Sequence, residues 1–465
     1  MKKSRKGLFS NAHFRNGSYS VGITVVVIAI VVLVNLIVSQ LPSNIRQWDI
    51  SSTKLYTLGD TTVEMLKGLD KEVTIYTVAE QGKTDARIEK LLNNYKAASD
   101  KIKLESIDPV LHPAALAAYD TTAGSLVVSC KETDKKVSIS YDEIIKYDEM
   151  SYYYYGQYTE TEFDGEGRLT SAIDSVVSDV TKNIYTTQGH GESGLSEQIT
   201  DLIDKANMNV SSVNLLTEGT VPKECDLLIL NAPADDLADD EKTMITDYMA
   251  GGGNVMILLG DTDSAPNLSA LLKEYGMVVA KGYIADLDRC YQGNYYNIFP
   301  EVNTANEISE GLDTADNLAL VSNARGMLVG EPARDTITVD KLMSTSENSY
   351  AMTEDSQEQN TYVLGASAVE ETEDGKSRLV VISAGSLIDQ GITASFTNLL
   401  NLDLFMNAVT WNFDDVTNIS IPAKSLNVTY NTVTTAGFWS KLYTMVIPAV
   451  FLAAGFTVWM RRRKA

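Results

Sequence analysis

The chain has 465 residues, a formal net charge of −24, 44% hydrophobic residues and 22% charged residues. These proportions exclude global disorder, and the length gives about three domains at ~150 residues each. The acidic balance excludes phosphate-backbone binding, which needs clustered Lys and Arg, so no nucleic-acid partner is expected. Cys130, Cys225 and Cys290 cannot close a disulfide set. None has C-x-x-C spacing, which excludes a zinc ribbon and a thioredoxin-type redox motif.

The average conceals an asymmetry. Residues 1–41 and 438–465 each hold five basic residues and no acidic ones. Removing those ten leaves 28 of the 38 basic residues between 42 and 437, against all 62 acidic ones, a balance of −34. Each basic end adjoins an apolar run. Residues 19–41 (YSVGITVVVIAIVVLVNLIVSQL) carry no charge and are long enough to cross a bilayer as a helix. The run exceeds a signal-peptide core and ends without a small-x-small cleavage site, which favours an uncleaved anchor. Residues 438–460 (FWSKLYTMVIPAVFLAAGFTVWM) have Trp439, Tyr443 and Trp459 near their ends, where aromatic rings favour the interface. Arg461, Arg462, Arg463 and Lys464 follow. The positive-inside rule then puts both tails, 1–18 and 461–465, in the cytoplasm and residues 42–437 outside it, on a plasma-membrane protein.

After the first run, Asp60–Leu69 reads as a helix capped by Asp60, and Val73–Val78 as a β-branched strand. Ala86–Ala98 reads as an amphipathic helix and Ile102–Ile107 as a strand. Leu126–Ser129 and Lys136–Ile139 read as a hairpin turned at Thr133-Asp134. That order, within residues 42–182, predicts a thioredoxin-like α/β domain and linker helix. Tyr152–Tyr155 reads as an extended strand with tyrosines on both faces, or as an interaction or sugar-stacking surface. Gly165-Glu166-Gly167 reads as a break before a linker helix over 169–180.

A second α/β unit, 183–413, opens with the strand Asn183–Thr187 and the loop Gln188-Gly189-His190-Gly191-Glu192. A helix over 195–206, a strand over 210–215 and the apolar strand Asp226–Leu230 follow. A helix over 239–249 leads to the apolar strand Val255–Leu259. Alternation of this length predicts a doubly wound parallel sheet, whose ligands sit at strand carboxyl ends. Those ends present Gly189, His190, Gly191, Glu192, Asn231 and Asp261 as a candidate ligand-binding loop. Its glycines let backbone approach a ligand, and His190, Glu192 and Asp261 have the donor types for a divalent metal. The other reading is a tight turn whose histidine is hydrogen-bonded locally. Met277–Tyr283 reads as a strand, 286–360 as irregular strands and loops, and Arg378–Ile382 as a last buried strand. Asn401–Trp411 reads as a closing helix, and 414–437 as a polar tether.

Several segments in this order resemble the GldG-like family, auxiliary membrane components of ABC-2-type transport systems. They are DISSTKLYTL (49–58), GEGRLTSAI (165–173), YTTQGHGE (185–192), GGGNVMILLGD (251–261) and NLDLFMNAVTW (401–411), between an N-terminal anchor and a C-terminal anchor with a basic tail. The resemblance implies an ABC-2-type permease and an ABC ATPase as partners, beside the lipid bilayer. It also implies that the central unit is similar to class I glutamine-amidotransferase folds.

Such an amidotransferase needs a cysteine at a strand-to-helix turn and a histidine base. The turn after Val255–Leu259 reads Gly260-Asp261-Thr262 and has no cysteine. His190-x-Glu192 has the right spacing but follows the first strand. No G-x-G-x-x-G or Walker motif occurs, so nucleotide hydrolysis is left to a partner; no catalytic residue, cofactor or resident metal is expected. The sequence reads as a non-catalytic accessory subunit. The alternatives are a stand-alone cell-envelope ligand-binding sensor and a metal-dependent envelope hydrolase.

Overall fold

β-Branched and apolar runs build the first sheet. The computed structural model describes residues 24–33, 55–262, 264–314, 317–373, 375–396, 399–416, 418–426 and 442–464. Helix α1 (Asp60–Gly68) leads into β1 (Val73–Val78), α2 (Ala86–Ala98), β2 (Ile102–Ile107) and the hairpin β3 (Ser125–Cys130) and β4 (Lys135–Ser140). The strand order is β2-β1-β3-β4, with β1 parallel to β2 and antiparallel to β3. The cap of α1 is Gly59, not Asp60. The Gly59 N–H is taken by the Glu166 carboxylate at 2.6 Å, so a distant side chain satisfies the helix start.

The predicted break at Gly165-Glu166-Gly167 is instead the first turn of α3 (Gly165–Val177). A Cβ at Gly167 would stand 2.5 Å from the Ile421 carbonyl oxygen, so glycine there serves close approach and not a turn. Helix α3 packs on β3 and β4 through its apolar face, including Leu169, Ile173 and Val176. It also meets the next helix through a buried charge cluster. Lys205 Nζ lies 2.7 Å from Asp164 Oδ1 and 2.8 Å from Asp201 Oδ2, and Arg168 pairs with Asp201.

The large sheet begins with β5 (Lys182–Thr187), α4 (Glu197–Lys205), β6 (Met208–Val213), β7 (Leu227–Asn231), α5 (Asp239–Ala250) and β8 (Asn254–Leu258). After a run of short strands come β9 (Val363–Thr372), β10 (Gly375–Ile382) and α6 (Asn401–Thr410). The order β6-β5-β7-β8-β10 is parallel throughout. Beyond β10 the sheet turns antiparallel, through β9 to Met327–Val329 and Met277–Val279. The expected all-parallel sheet is therefore mixed. Thr372 pairs with Gly375, and so tight a connection can only reverse the chain.

Strand β7 is buried along its whole length. Leu227 and Ile229 face one side of the sheet, with Ile199, Leu202 and Ile203 of α4 and Phe405 and Ala408 of α6. Leu228 and Leu230 face the other side, with Ile245 and Met249 of α5 and Leu268 and Leu272 of the helix Pro266–Glu274. Covered faces on both sides explain the unbroken apolar run. The expected strand 277–283 is two strands, Met277–Val279 and Tyr283–Asp286, separated at Gly282.

The described residues fall into two units. One draws on Met1–Lys146 and Phe163–Lys424 and holds both sheets above; the other draws on Tyr147–Glu162 and Ser425–Ala465. In the second, the predicted tyrosine strand is a helix, Glu149–Tyr155. Asp148 caps its start and Gly156, at φ +70°, ends it. These two flanking residues outweigh the β-propensity of the tyrosines. By length and composition, Tyr443–Arg461 is apolar enough to cross a membrane, with mean hydropathy 1.7. Thr24–Leu33 is a shorter apolar helix. The N-terminal basic tail, the rest of the run 19–41, residues 49–54 and most of the tether 414–437 lie outside the described residues.

Candidate functional site

The parallel strands, numbered along the chain, lie in the order 2-1-3-4-5. Connections therefore leave in opposite directions on either side of the β5/β7 boundary, which is where open α/β sheets bind ligands. The loop after β5 stands at this switch point. Gly189 has φ +128° and Gly191 φ +68°. A Cβ at Gly189 would also push on the Asn214 side-chain amide, and the two positive φ values alone reserve the loop for glycine.

His190 is buried between two carboxylates. Its Nδ1 lies 3.1 Å from Glu192 Oε1, and its Nε2 lies 2.7 Å from Glu241 Oε2. The His190 backbone N–H donates to Glu192 Oε2 at 2.7 Å. The His190 carbonyl accepts from the N–H groups of Ala234 and Asp235 at 2.8 and 3.0 Å. Carboxylates accept, so a protonated ring, donating from both nitrogens, satisfies both contacts. Burial opposes that charge, but the flanking Glu192 and Glu241 outweigh it and hold the His190 pKa above its ordinary 6.5. Burial likewise opposes the Glu192 carboxylate, but backbone N–H donors and the imidazole outweigh it and lower its pKa below 4.5. A metal needs a neutral imidazole lone pair, and this arrangement leaves none exposed. Among the described residues, no group of three or more His, Cys, Asp and Glu side chains is placed to hold a metal ion.

Asn231, at the end of β7, belongs to the same loop. Its side-chain amide donates to the Ser193 carbonyl at 2.7 Å, and its backbone carbonyl accepts from the Ser193 N–H at 2.9 Å. Its Oδ1 is buried without a hydrogen-bond partner. Asp261 has other partners. Arg325 approaches it at 3.3 Å, and the Tyr283 hydroxyl donates to it. Arg325 also lies over the Tyr283 ring at 4.6 Å and donates to the Thr262 carbonyl at 2.8 Å. The structure thus joins Gly189, His190, Gly191, Glu192 and Asn231, and assigns Asp261 to a cluster with Arg325 and Tyr283.

Glu241, the residue the sequence reading missed, accepts from the Ala238 N–H at 2.9 Å as the third residue of α5. The position three residues into a helix was its visible signal; the contact with His190 was not visible. At the turn after β8, a Cβ on Gly260 would overlap the Pro233 carbonyl, so the turn is packed shut. Cys225 precedes β7, is buried, and burial pushes its thiol pKa up to about 11. A thiol so held is not a thiolate at neutral pH.

Residues 181–408 match the family described as ABC-type uncharacterized transport system, and residues 52–145 match a domain of unknown function (DUF7088). Comparison with curated proteins finds no match. Solved structures with partial likeness include the IFT52 N-terminal domain, at 16% identity and TM-score 0.37, covering 51% of this chain and 100% of that one. A ThuA-like protein from Bacteroides uniformis, at 13% identity and TM-score 0.31, covers 51% of this chain and 92% of that one. A GMP synthase protein from Thermoplasma acidophilum, at 10% identity and TM-score 0.29, covers 50% of this chain and 96% of that one. Likenesses this distant transfer no activity.

Proposed function

Because residues 181–408 match the ABC-type uncharacterized transport system family, we propose that the chain is a non-catalytic accessory subunit of an ABC-2-type transporter. Its partners in this reading are the ABC-2-type permease, the ABC ATPase and the lipid bilayer. Two anchors hold it, and residues 42–437 face away from the cytoplasm. The family match over the central α/β unit carries the reading. The apolar helix Tyr443–Arg461, followed by further basic residues, supports the C-terminal anchor and its orientation. The N-terminal unit is read as thioredoxin-like; the order β2-β1-β3-β4 supports this.

Two observations support a non-catalytic role. Both His190 nitrogens are committed to carboxylates, and the Cys225 thiol is buried and protonated. One observation favours ligand binding at the same loop, the buried Asn231 Oδ1 with no partner. A ligand with an N–H or O–H donor would satisfy it. In the accessory reading that ligand or partner is sensed while ATP is hydrolysed elsewhere.

The test is a gentle-detergent pull-down of the full-length chain from its native membrane, with mass spectrometry of what comes with it. An ABC ATPase and a polytopic permease are expected at near-stoichiometric amounts. Recovery of the chain alone, with crosslinking also negative, sinks the accessory reading. It would leave the stand-alone sensor.

A further inference from the structure

Six of the twelve residues from 147 to 158 are tyrosines, and none of the twelve is Lys or Arg. Four of the tyrosines ride on the helix Glu149–Tyr155. Ser151 is its buried face. The Ser151 hydroxyl donates to the Asp148 carbonyl at 2.5 Å and accepts from the Thr159 N–H at 2.8 Å. This tie fixes the helix by its small residue and turns the rings outward. Tyr153, Tyr154 and Tyr155 are 80%, 74% and 76% exposed. Tyr152 and Tyr158 are exposed as well and stack with centroids 5.0 Å apart, which holds the patch together. Met150 adds an exposed apolar side chain. A contiguous aromatic patch marks an interaction surface.

The tyrosine ring is an apolar body with a polar tip, the shape that favours the headgroup layer of a bilayer. The chain itself ties this patch to the path into the membrane. The patch continues into the strand Thr159–Phe163, where the Thr161 carbonyl accepts from the Leu426 N–H at 2.8 Å. From Leu426 to the helix that begins at Leu442 is 16 residues, a reach of at most about 55 Å. Asp148 and Glu149, the charged residues of 147–158, outnumber the one adjoining base, Lys146, and repel an anionic surface. We propose that the tyrosine patch is an interfacial contact that seats on the zwitterionic headgroup layer of the membrane in which Tyr443–Arg461 is anchored. This rests on the anchored reading of the C-terminal helix.

The test uses the full-length chain carrying Cys290→Ser, which removes the one native thiol that is not buried. Tyr154→Cys and, separately, Tyr443→Cys are labelled with an environment-sensitive fluorophore. Each is reconstituted in phosphatidylcholine nanodiscs with and without a headgroup spin-label quencher. Both labels are expected to lose at least half their emission to the quencher. Quenching at 443 but not at 154 overturns the patch contact while the anchor stands. No quenching at either position removes the anchored reading and this proposal with it. A 154 label shielded from aqueous iodide yet unquenched by lipid would assign the patch to a second copy of the chain and overturn the lipid contact.

Discussion

Glu166 and Lys424, 258 positions apart in the chain, form an ion pair of 2.7 Å. The other Glu166 oxygen accepts from the Gly59 N–H at 2.6 Å and the Thr62 hydroxyl at 2.8 Å, and Lys424 also donates to the Thr57 carbonyl at 3.1 Å. One nearly buried carboxylate on α3 therefore binds the first described stretch of the central body to its last. Lys424→Met is expected to destabilise the protein by about 1–3 kcal/mol, the usual worth of a charge-assisted hydrogen bond left unmade. Glu166→Ala is expected to cost more, because it also orphans the Gly59 N–H and leaves the Thr62 hydroxyl with only Thr170. Urea unfolding of the two variants and of the double variant checks this. Strictly additive losses would show that the pair does not act as a unit.

Lys205 is buried with Asp164 and Asp201 at the junction of α3 and α4. Lys205→Met removes the buried cation and leaves Asp164 and Asp201 with the more distant Lys146 and the rim residue Arg168. The expected loss at neutral pH is about 3–5 kcal/mol. Burial already raises the Asp164 pKa, against the pull of Lys205. Without Lys205 that pKa rises further, so the variant is expected to recover part of its loss as the pH falls and Asp164 protonates. Denaturant midpoints at neutral and mildly acidic pH, compared with wild type, read the recovery. A loss that stays constant with pH would contradict it.

The His190 loop has its own pH window. The folded His190 pKa is raised, so its contribution is fully present below the ordinary 6.5 and is lost as the pH rises through the folded value. The folded Glu192 pKa is lowered, so its contribution is present above the ordinary 4.5 and is lost as the pH falls through the folded value. Both are complete between about 4.5 and 6.5. The protection of the Ala234 and Asp235 amides, which bond to the His190 carbonyl, relative to their intrinsic exchange at each pH should be greatest in that window. In His190→Gln the alkaline-side loss should vanish. Its persistence would mean that another group titrates there.

Two helical glycines should respond with opposite sign to alanine. Gly68 ends α1 with nothing near its missing Cβ, so Gly68→Ala is expected to stabilise by about 0.4–1 kcal/mol. Gly167 sits early in α3 against the Ile421 carbonyl oxygen at 2.5 Å from an added Cβ. Gly167→Ala is expected to destabilise by about 1–3 kcal/mol despite alanine's better helix propensity. Thermal unfolding of both variants decides the signs. A stabilised Gly167→Ala would show that the 418–426 segment yields freely.

The local elements follow from residue order alone. The strands Val73–Val78 and Ile102–Ile107 and the helix Ala86–Ala98 have the bounds read from period and β-branching. So, within one to three residues, do the strands and helices of the parallel half of the large sheet. Apolar spacing is a local property, and it fixes which face of an element is buried. The switch-point loop was legible for the same reason, since strand ends and glycines are local marks.

Which polar groups meet depends on long-range packing. Glu241 reaches His190 from another helix, and Asp261 is claimed by Arg325 from the irregular region rather than by His190. Gly165-Glu166-Gly167 reads as a break until Ile421 and Lys424 are packed against it. The pairings of Met327–Val329 and Ile337–Ser344 with β9 were equally hidden, because their partners lie about 20–35 residues away in the chain. Periodicity says which side of an element leaves water. It carries no information about the distant donor or carboxylate that a buried polar group must find there, and the cost of leaving that group unpaired is what selects the partner.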